Sequence, residues 1–242
     1  MDFIWARKYR SQTGPNTAQG NGWDFSYNIT IQQEGESVRL GDGNTRSDLY
    51  LPETDSTWAR GEFFREFKKN VDGTYAQTFP DRGQWNFYAF DGSPTAGKIA
   101  SIKDRNGNQL AFFYDAQGRL VRVRDTLDRD ILIAYVNGFI STVIDFAGRV
   151  VRYIYYGANE QGGNLGDLKS VTTPVVTGTP NNNDFPNGKT TIYTYSKNAG
   201  HEALDHNLLT ITDGRGNQYL RNFYASTTAP NNLNFDRLTR QI

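Results

Sequence analysis

A degenerate repeat that begins at Gly97 and runs to the last residue constrains this 242-residue chain more than any local motif does. Its clearest copy is Gly118-Arg119-Leu120-Val121-Arg122-Val123-Arg124-Asp125. Gly97-Lys98-Ile99-Ala100-Ser101-Ile102-Lys103-Asp104 precedes it, and Gly138-Phe139-Ile140-Ser141-Thr142-Val143-Ile144-Asp145 follows. Each copy opens on Gly and reaches Asp seven residues later. Self-similarity at a fixed period means that one supersecondary unit is stacked on copies of itself, so the period is read before any motif.

Phasing the copies on a turn residue sharpens the pattern. Gly107, Asp128, Gly148, Gly188 and Gly216 occupy the second turn position of successive cycles. Seven residues after each stands an aromatic: Tyr114, Tyr135, Tyr155, Tyr195 and Phe223. Five residues after stand Phe112, Ile133, Tyr153, Tyr193 and Arg221, and three after stand Leu110, Ile131, Val151, Thr191 and Tyr219. Offsets of three, five and seven share one face of a strand. Each cycle therefore reads as two strands joined by a turn such as Asp104-Arg105-Asn106-Gly107 or Asp213-Gly214-Arg215-Gly216, where Gly and Asn supply positive φ. Later starts are at Gly166, at His206 in the Gly slot, and at Asp236, whose strand breaks off at Ile242. A final strand with unpaired edge groups invites more chain, so the sequence reads as a segment of a longer repeat polypeptide or as a unit that pairs with copies of itself.

Residues 1–96 lack an obvious repeat. Alternation predicts strands at residues 3–9 and 23–31; three more, at 63–68, 74–79 and 84–90, form a meander. Residues 55–60 fit a short helix or a loop. The chain is thus divided into an N-terminal β region, 1–96, and repeats, 97–242. The 24 glycines and 14% aromatic content, with one Met, suit a turn-rich β protein. Lys+Arg and Asp+Glu are both 26, so no basic footprint for nucleic acid is present. The absence of Cys excludes disulfides and thiolate metal sites. No apolar run approaches the roughly 20 residues of a membrane span, and the N-terminus has no signal-peptide layout.

Tyr114-Asp115-Ala116-Gln117-Gly118-Arg119-Leu120, with Asp104-Arg105-Asn106-Gly107-Asn108 before it, closely resembles the RHS/YD-repeat family; Asp145-Phe146-Ala147-Gly148-Arg149 fits the same pattern. Phe3-Ile4-Trp5-Ala6-Arg7-Lys8-Tyr9-Arg10-Ser11 and Gly20-Asn21-Gly22-Trp23 are similar to the segment that precedes the repeats in many bacterial members. The resemblance implies an all-β fold, a continuous twisted antiparallel sheet of hairpins that winds into a shell. It also implies an extracellular or cell-surface location and, in toxin members, a polypeptide cargo inside the shell. The self-cleavage motif of those members is absent here, and five cycles are too few to close a shell of the usual size.

Other motifs carry weaker chemistry. His201-Glu202-Ala203-Leu204-Asp205-His206 has one residue too many for a zinc-binding H-E-x-x-H, so its histidines do not share a helix face. Asp104-Arg105-Asn106-Gly107-Asn108 and Gly41-Asp42-Gly43-Asn44 offer oxygen ligands for Ca²⁺ but lack the distal Glu of a calcium loop, and Asp and Asn in turns bond their own backbone. Asn28-Ile29-Thr30 matches the glycosylation sequon on an expected strand. Trp5, Trp23, Trp58 and Trp85 suit a sugar-stacking surface or a core. No nucleophile–base arrangement is visible, so no enzyme, cofactor or metal is expected.

The expectation is a structural ribbon. Its aromatics are Tyr114, Tyr135, Tyr153, Tyr155, Tyr193, Tyr195 and Phe223. Its turn residues are Gly97, Asp104, Gly107, Gly118, Asp125, Gly138, Asp145, Gly148, Gly166, Gly188, Asp213 and Gly216. The expected partners are the rest of a longer polypeptide, further copies, or a toxin cargo. The alternative is an adhesin or glycan-binding module that uses the loops at 157–165, 174–188, 196–205 and 225–235.

Overall fold

In a computed structural model that describes residues 1–62 and 64–242, the chain is almost entirely β. The described helical content is one 3-10 turn, Glu202–Leu204. Two short strands, β1 (Arg7–Tyr9) and β2 (Trp23–Phe25), form a ribbon of their own. The other eighteen strands pair antiparallel with their neighbours in chain order. They begin with β3 (Ile29–Glu34), β4 (Ser37–Asp42), β5 (Ser47–Thr54), β6 (Thr57–Ala59), β7 (Glu66–Lys69), β8 (Tyr75–Thr78) and β9 (Gln84–Phe87). The repeats supply β10 (Ile99–Lys103), β11 (Gln109–Tyr114), β12 (Leu120–Asp125), β13 (Asp130–Val136), β14 (Phe139–Ile144) and β15 (Val150–Tyr155). They end with β16 (Leu168–Thr172), β17 (Thr190–Tyr195), β18 (Leu208–Thr212), β19 (Gln218–Tyr224) and β20 (Leu238–Gln241).

The chain forms two compact units, 1–8 with 24–133 and 9–23 with 134–242, and passes from one to the other within β13. In the first unit the strands bury one aromatic face. Tyr50, Phe67, Phe87 and Phe112 are fully enclosed, and Phe67 lies 5.6 Å from Tyr50 and 6.0 Å from Phe87 between ring centroids. Residues 1–8 lie against the 24–31 stretch. Trp5 stacks on Phe25 at 5.1 Å, Phe3 on Tyr27 at 5.1 Å, and Tyr27 meets Phe112 of β11 at 5.2 Å. In the second unit Trp23 packs edge-on against Tyr193 at 5.2 Å, and its indole N–H donates to the Tyr195 hydroxyl at 2.8 Å. Each enclosed ring contributes about 2 kcal/mol of burial, so this stripe is a main source of stability.

Several local expectations are corrected. Residues 3–9 alternate in burial as a strand does, but ladder bonding covers only Arg7–Tyr9. The 23–31 run is broken by a turn at Ser26-Tyr27, where the N–H of Asn28 donates to Phe25 O. The sequon Asn28 therefore sits beside a turn, its amide donating to Asp24 at 2.8 Å. The 55–60 stretch contains β6. The 63–68 run starts at Glu66, and Phe63 lies outside the described residues.

Candidate functional site

The recurring site of this molecule is the turn. At Asp104, Asp115, Asp125, Asp145 and Asp213 the same closed set of bonds forms. The Asp N–H donates to the carbonyl four residues on, and the N–H three residues on donates back to the Asp carbonyl. One carboxylate oxygen, Oδ1, accepts the N–H groups two and four residues on, all at 2.8–3.0 Å. The other, Oδ2, accepts from the side chain four residues on: Asn108, Arg119, Arg129, Arg149 or Asn217. The residue three on is left-handed in every case: Gly107, Gly118, Asp128, Gly148 and Gly216, with φ between 57° and 86°. This geometry explains why Asp, Gly and Arg or Asn recur at that spacing. Asp satisfies turn amides that the ladder leaves open, Gly relieves the positive φ, and the guanidinium or amide of the last residue bonds the second carboxylate oxygen.

The carboxyls respond as this bonding requires. For Asp104 the Asn108 amide, and for Asp213 the Asn217 N–H, hold the group below the ordinary carboxylate range. Burial pushes Asp115, Asp125 and Asp145 up, but the turn N–H groups and the arginine guanidinium outweigh it, so all three end up lowered. Both carboxylate oxygens of Asp104 accept these turn bonds, and Asp42 likewise accepts N–H from Asn44 and Arg46.

The same backbone turn occurs before residue 97, where the sequence showed no repeat. Asn70 and Phe79 each donate N–H to the carbonyl four residues on, with left-handed Gly73 and Arg82 in the third place. At Gly188 the long 174–188 excursion closes in the same manner. Thr173 N–H donates to Lys189 O, and Lys189 N–H donates to Thr173 Oγ1.

A second device closes the other end of each hairpin. A β-bulge recurs at one repeat position, three residues after the opening residue: Ala100, Val121, Lys169, Leu209 and Thr239 are each skipped by the register. Just before it stands Ile99, Leu120, Leu168, Leu208 or Leu238, and the first four are buried. The repeat tyrosine donates its hydroxyl to the carbonyl of that residue: Tyr114 to Ile99 (2.8 Å), Tyr195 to Leu168 (2.9 Å) and Tyr224 to Leu208 (3.3 Å). Tyr155 bonds Ile140, at the equivalent place in its cycle, at 2.9 Å. A bulge withdraws backbone groups from the ladder, and the tyrosine supplies the missing donor.

This places Tyr224, not Phe223, in the aromatic slot of the fifth cycle. An additional register shift between Ile211 and Thr212 adds one residue, so Leu220, Asn222 and Tyr224 take the positions assigned to Tyr219, Arg221 and Phe223. Tyr219 is accordingly 59% exposed. In the other cycles Tyr153 and Tyr193 are buried, and Tyr135 lies half-buried at the end of β13. The opening slot is left-handed at Gly97, Gly118, Gly138 and Gly166, and also at His206 (φ 68°) and Asp236 (φ 54°).

The two histidines of the 201–206 stretch have separate duties. His201 Nδ1 accepts the Ala203 N–H and caps the 3-10 turn. His206 Nδ1 lies 2.7 Å from Oδ1 of the fully buried Asp167, which also accepts from Asn21 at 3.0 Å. Trp23 and Trp58 are buried, Trp5 is stacked on Phe25, and Trp85 packs edge-on against Phe79 at 5.2 Å, so the tryptophans serve as packing groups.

Residues 95–129 match the family model described as RHS Repeat, the stretch that holds the Asp104, Asp115 and Asp125 turns. A search of the curated proteins finds no match.

Proposed function

On the strength of its membership of the RHS/YD-repeat family, we propose that this chain is a non-catalytic structural ribbon, a wall segment of a shell or of an extended extracellular or cell-surface assembly. The observation that carries this reading is the economy of the repeat. Its aspartates are bonded to turn amides, its tyrosines to bulge carbonyls, and Arg119, Arg129 and Arg149 to three of those aspartates. Groups committed in this way hold a backbone and are not poised to attack a substrate. Among the described residues, no helix is long and apolar enough to cross a membrane.

The partner of this ribbon is more ribbon. β20 pairs with β19 along one side, and Ile242 exchanges both backbone bonds with Arg221. By antiparallel alternation the N–H and C=O of Gln241 face the other side, where a further strand can add. Within each unit the aromatic face is covered by the unit's own N-terminal residues, Tyr27 on Phe112 and Trp23 on Tyr193.

The test grafts a second copy of residues 104–136 after Ile242, which completes the hairpin that starts at Asp236. The proposal expects the β20 amides to gain strong exchange protection, and Gln241→Pro to abolish the gain. A graft that leaves β20 exchanging as before refutes it.

A further inference from the structure

A cavity of about 420 Å³ lies within the second unit, where the 196–207 excursion and Ala225-Ser226 close over β17, β18 and β19. Such a volume suits a small organic ligand. Most polar groups around it are already committed. Thr194 and Thr210 bond each other at 2.6 Å, and Ser196 donates to Leu204 O while accepting the Asn207 N–H. Asn207 is bonded to Leu204 O and to Asp236, Asn222 to Leu208 O and Gln241, and Tyr224 to Leu208 O. Besides Ser226, what remains facing the space is apolar: Leu204, Leu209, Ala199, Ala225 and the Phe223 ring.

The exception is positive charge. Arg221, at the wall, places its guanidinium 4.8 Å from the Phe223 ring centroid, and Arg240 lies over the same ring at 5.7 Å. Arg119, Arg129 and Arg149 of the repeat turns each hold a carboxylate within 2.7 Å. Among the described residues neither Arg221 nor Arg240 has a carboxylate partner or a side-chain hydrogen bond. Two guanidinium groups on one ring without a counter-ion form an anion site, because guanidinium forks match a carboxylate in shape and charge. A sugar needs several free hydrogen-bonding groups, which this wall has spent.

We infer that this cavity binds a small amphipathic acid, its apolar body against Leu209 and Phe223 and its carboxylate on Arg221, with Arg240 adding charge. The site is separate from the turns and stands or falls independently of the ribbon reading.

The test titrates the full chain with 4-phenylbutyrate, and with 4-phenylbutan-1-ol as the uncharged match, following backbone amide shifts at low salt. The acid is expected to bind roughly tenfold or more tightly than the alcohol, as charge-assisted bonds warrant, and to move the amides of Leu209, Phe223 and Ser226. Arg221→Gln should erase the preference for the acid, and Arg240→Gln should reduce it, both with the spectrum of the folded chain intact. Equal binding of acid and alcohol overturns the inference. So does unchanged acid affinity in Arg221→Gln, or the absence of shifts at the cavity with millimolar acid.

Discussion

At the scale of the residue, the fold is decided by which atoms satisfy a turn. Gly148 and Gly118 hold the same turn position, but a Cβ on Gly148 meets nothing within 4 Å, whereas one on Gly118 falls 2.2 Å from Pro94 O. Gly148→Ala should therefore cost only the left-handed conformation, about 1–2 kcal/mol. Gly118→Ala should cost clearly more because backbone must move; urea unfolding of the two variants measures the difference. The aspartates set an acid limit. A carboxyl lowered in the folded state contributes stability that is present above its unfolded value, about 3.9 for Asp, and that is lost as pH falls through the folded value. With Asp104, Asp115, Asp125, Asp145 and Asp213 all lowered, melting temperature should fall steeply below about pH 4, and Asp115→Asn with Asp125→Asn should flatten that fall. Asp236 runs the other way. Burial raises it despite the Asn207 bond, so it favours the fold more once protonated, and Asp236→Asn should not destabilise at neutral pH. Much at this scale was legible in the sequence, because turn chemistry lies in residue type: Asp, Gly and Arg at fixed spacing admit few backbones. His206 in a glycine slot was also legible, but its buried partner Asp167 was not, since 39 residues separate them.

At the scale of the element, the hairpin is held by its turn at one end and by a tyrosine hydroxyl at the bulge at the other. Tyr155→Phe removes a hydroxyl that donates to Ile140 O and accepts the amide of the fully buried Gln19, and should cost about 2–3 kcal/mol. Tyr195→Phe should cost a similar amount, because its buried hydroxyl accepts the Trp23 indole N–H, which would lose its acceptor. Thermal melts check both, and an unchanged melting temperature in either variant would contradict the role given to these hydroxyls. The bulge itself could not be read from the chain. Ala100, Val121, Lys169, Leu209 and Thr239 share no chemistry, because a bulge is a property of register and not of a side chain. Counting at constant offset failed in the fifth cycle for the same reason: the shift at Ile211 inserts a residue that periodicity cannot see. The hairpins at Asn70 and Phe79 are legible as a meander but not as copies of the repeat, because they keep the turn's backbone while lacking its leading Asp.

At the scale of the whole molecule, the chain is a ladder of antiparallel neighbours gathered into two compact units, with aromatic side chains from residues 1–31 covering the strands within each. The all-β class was legible from glycine and aromatic usage and from the period. The fold of residues 9–23 back onto strands well over a hundred residues away was not, since long-range contacts such as Trp23 with Tyr195 leave no local pattern. One hairpin turn is repeated along the chain and starts well before Gly97, and from Gly97 on a bulge joins it at the other end of the hairpin. Amide hydrogen exchange on the native chain is the decisive measurement. The ladder amides of β7, β8 and β9 should be protected to a degree comparable with those of β10, β11 and β12, and the Asp-bonded turn amides of Asn106, Gln117 and Leu127 should exchange more slowly than an open loop. Residues 66–87 that exchange as free chain while the strands after Gly97 stay protected would contradict that repetition.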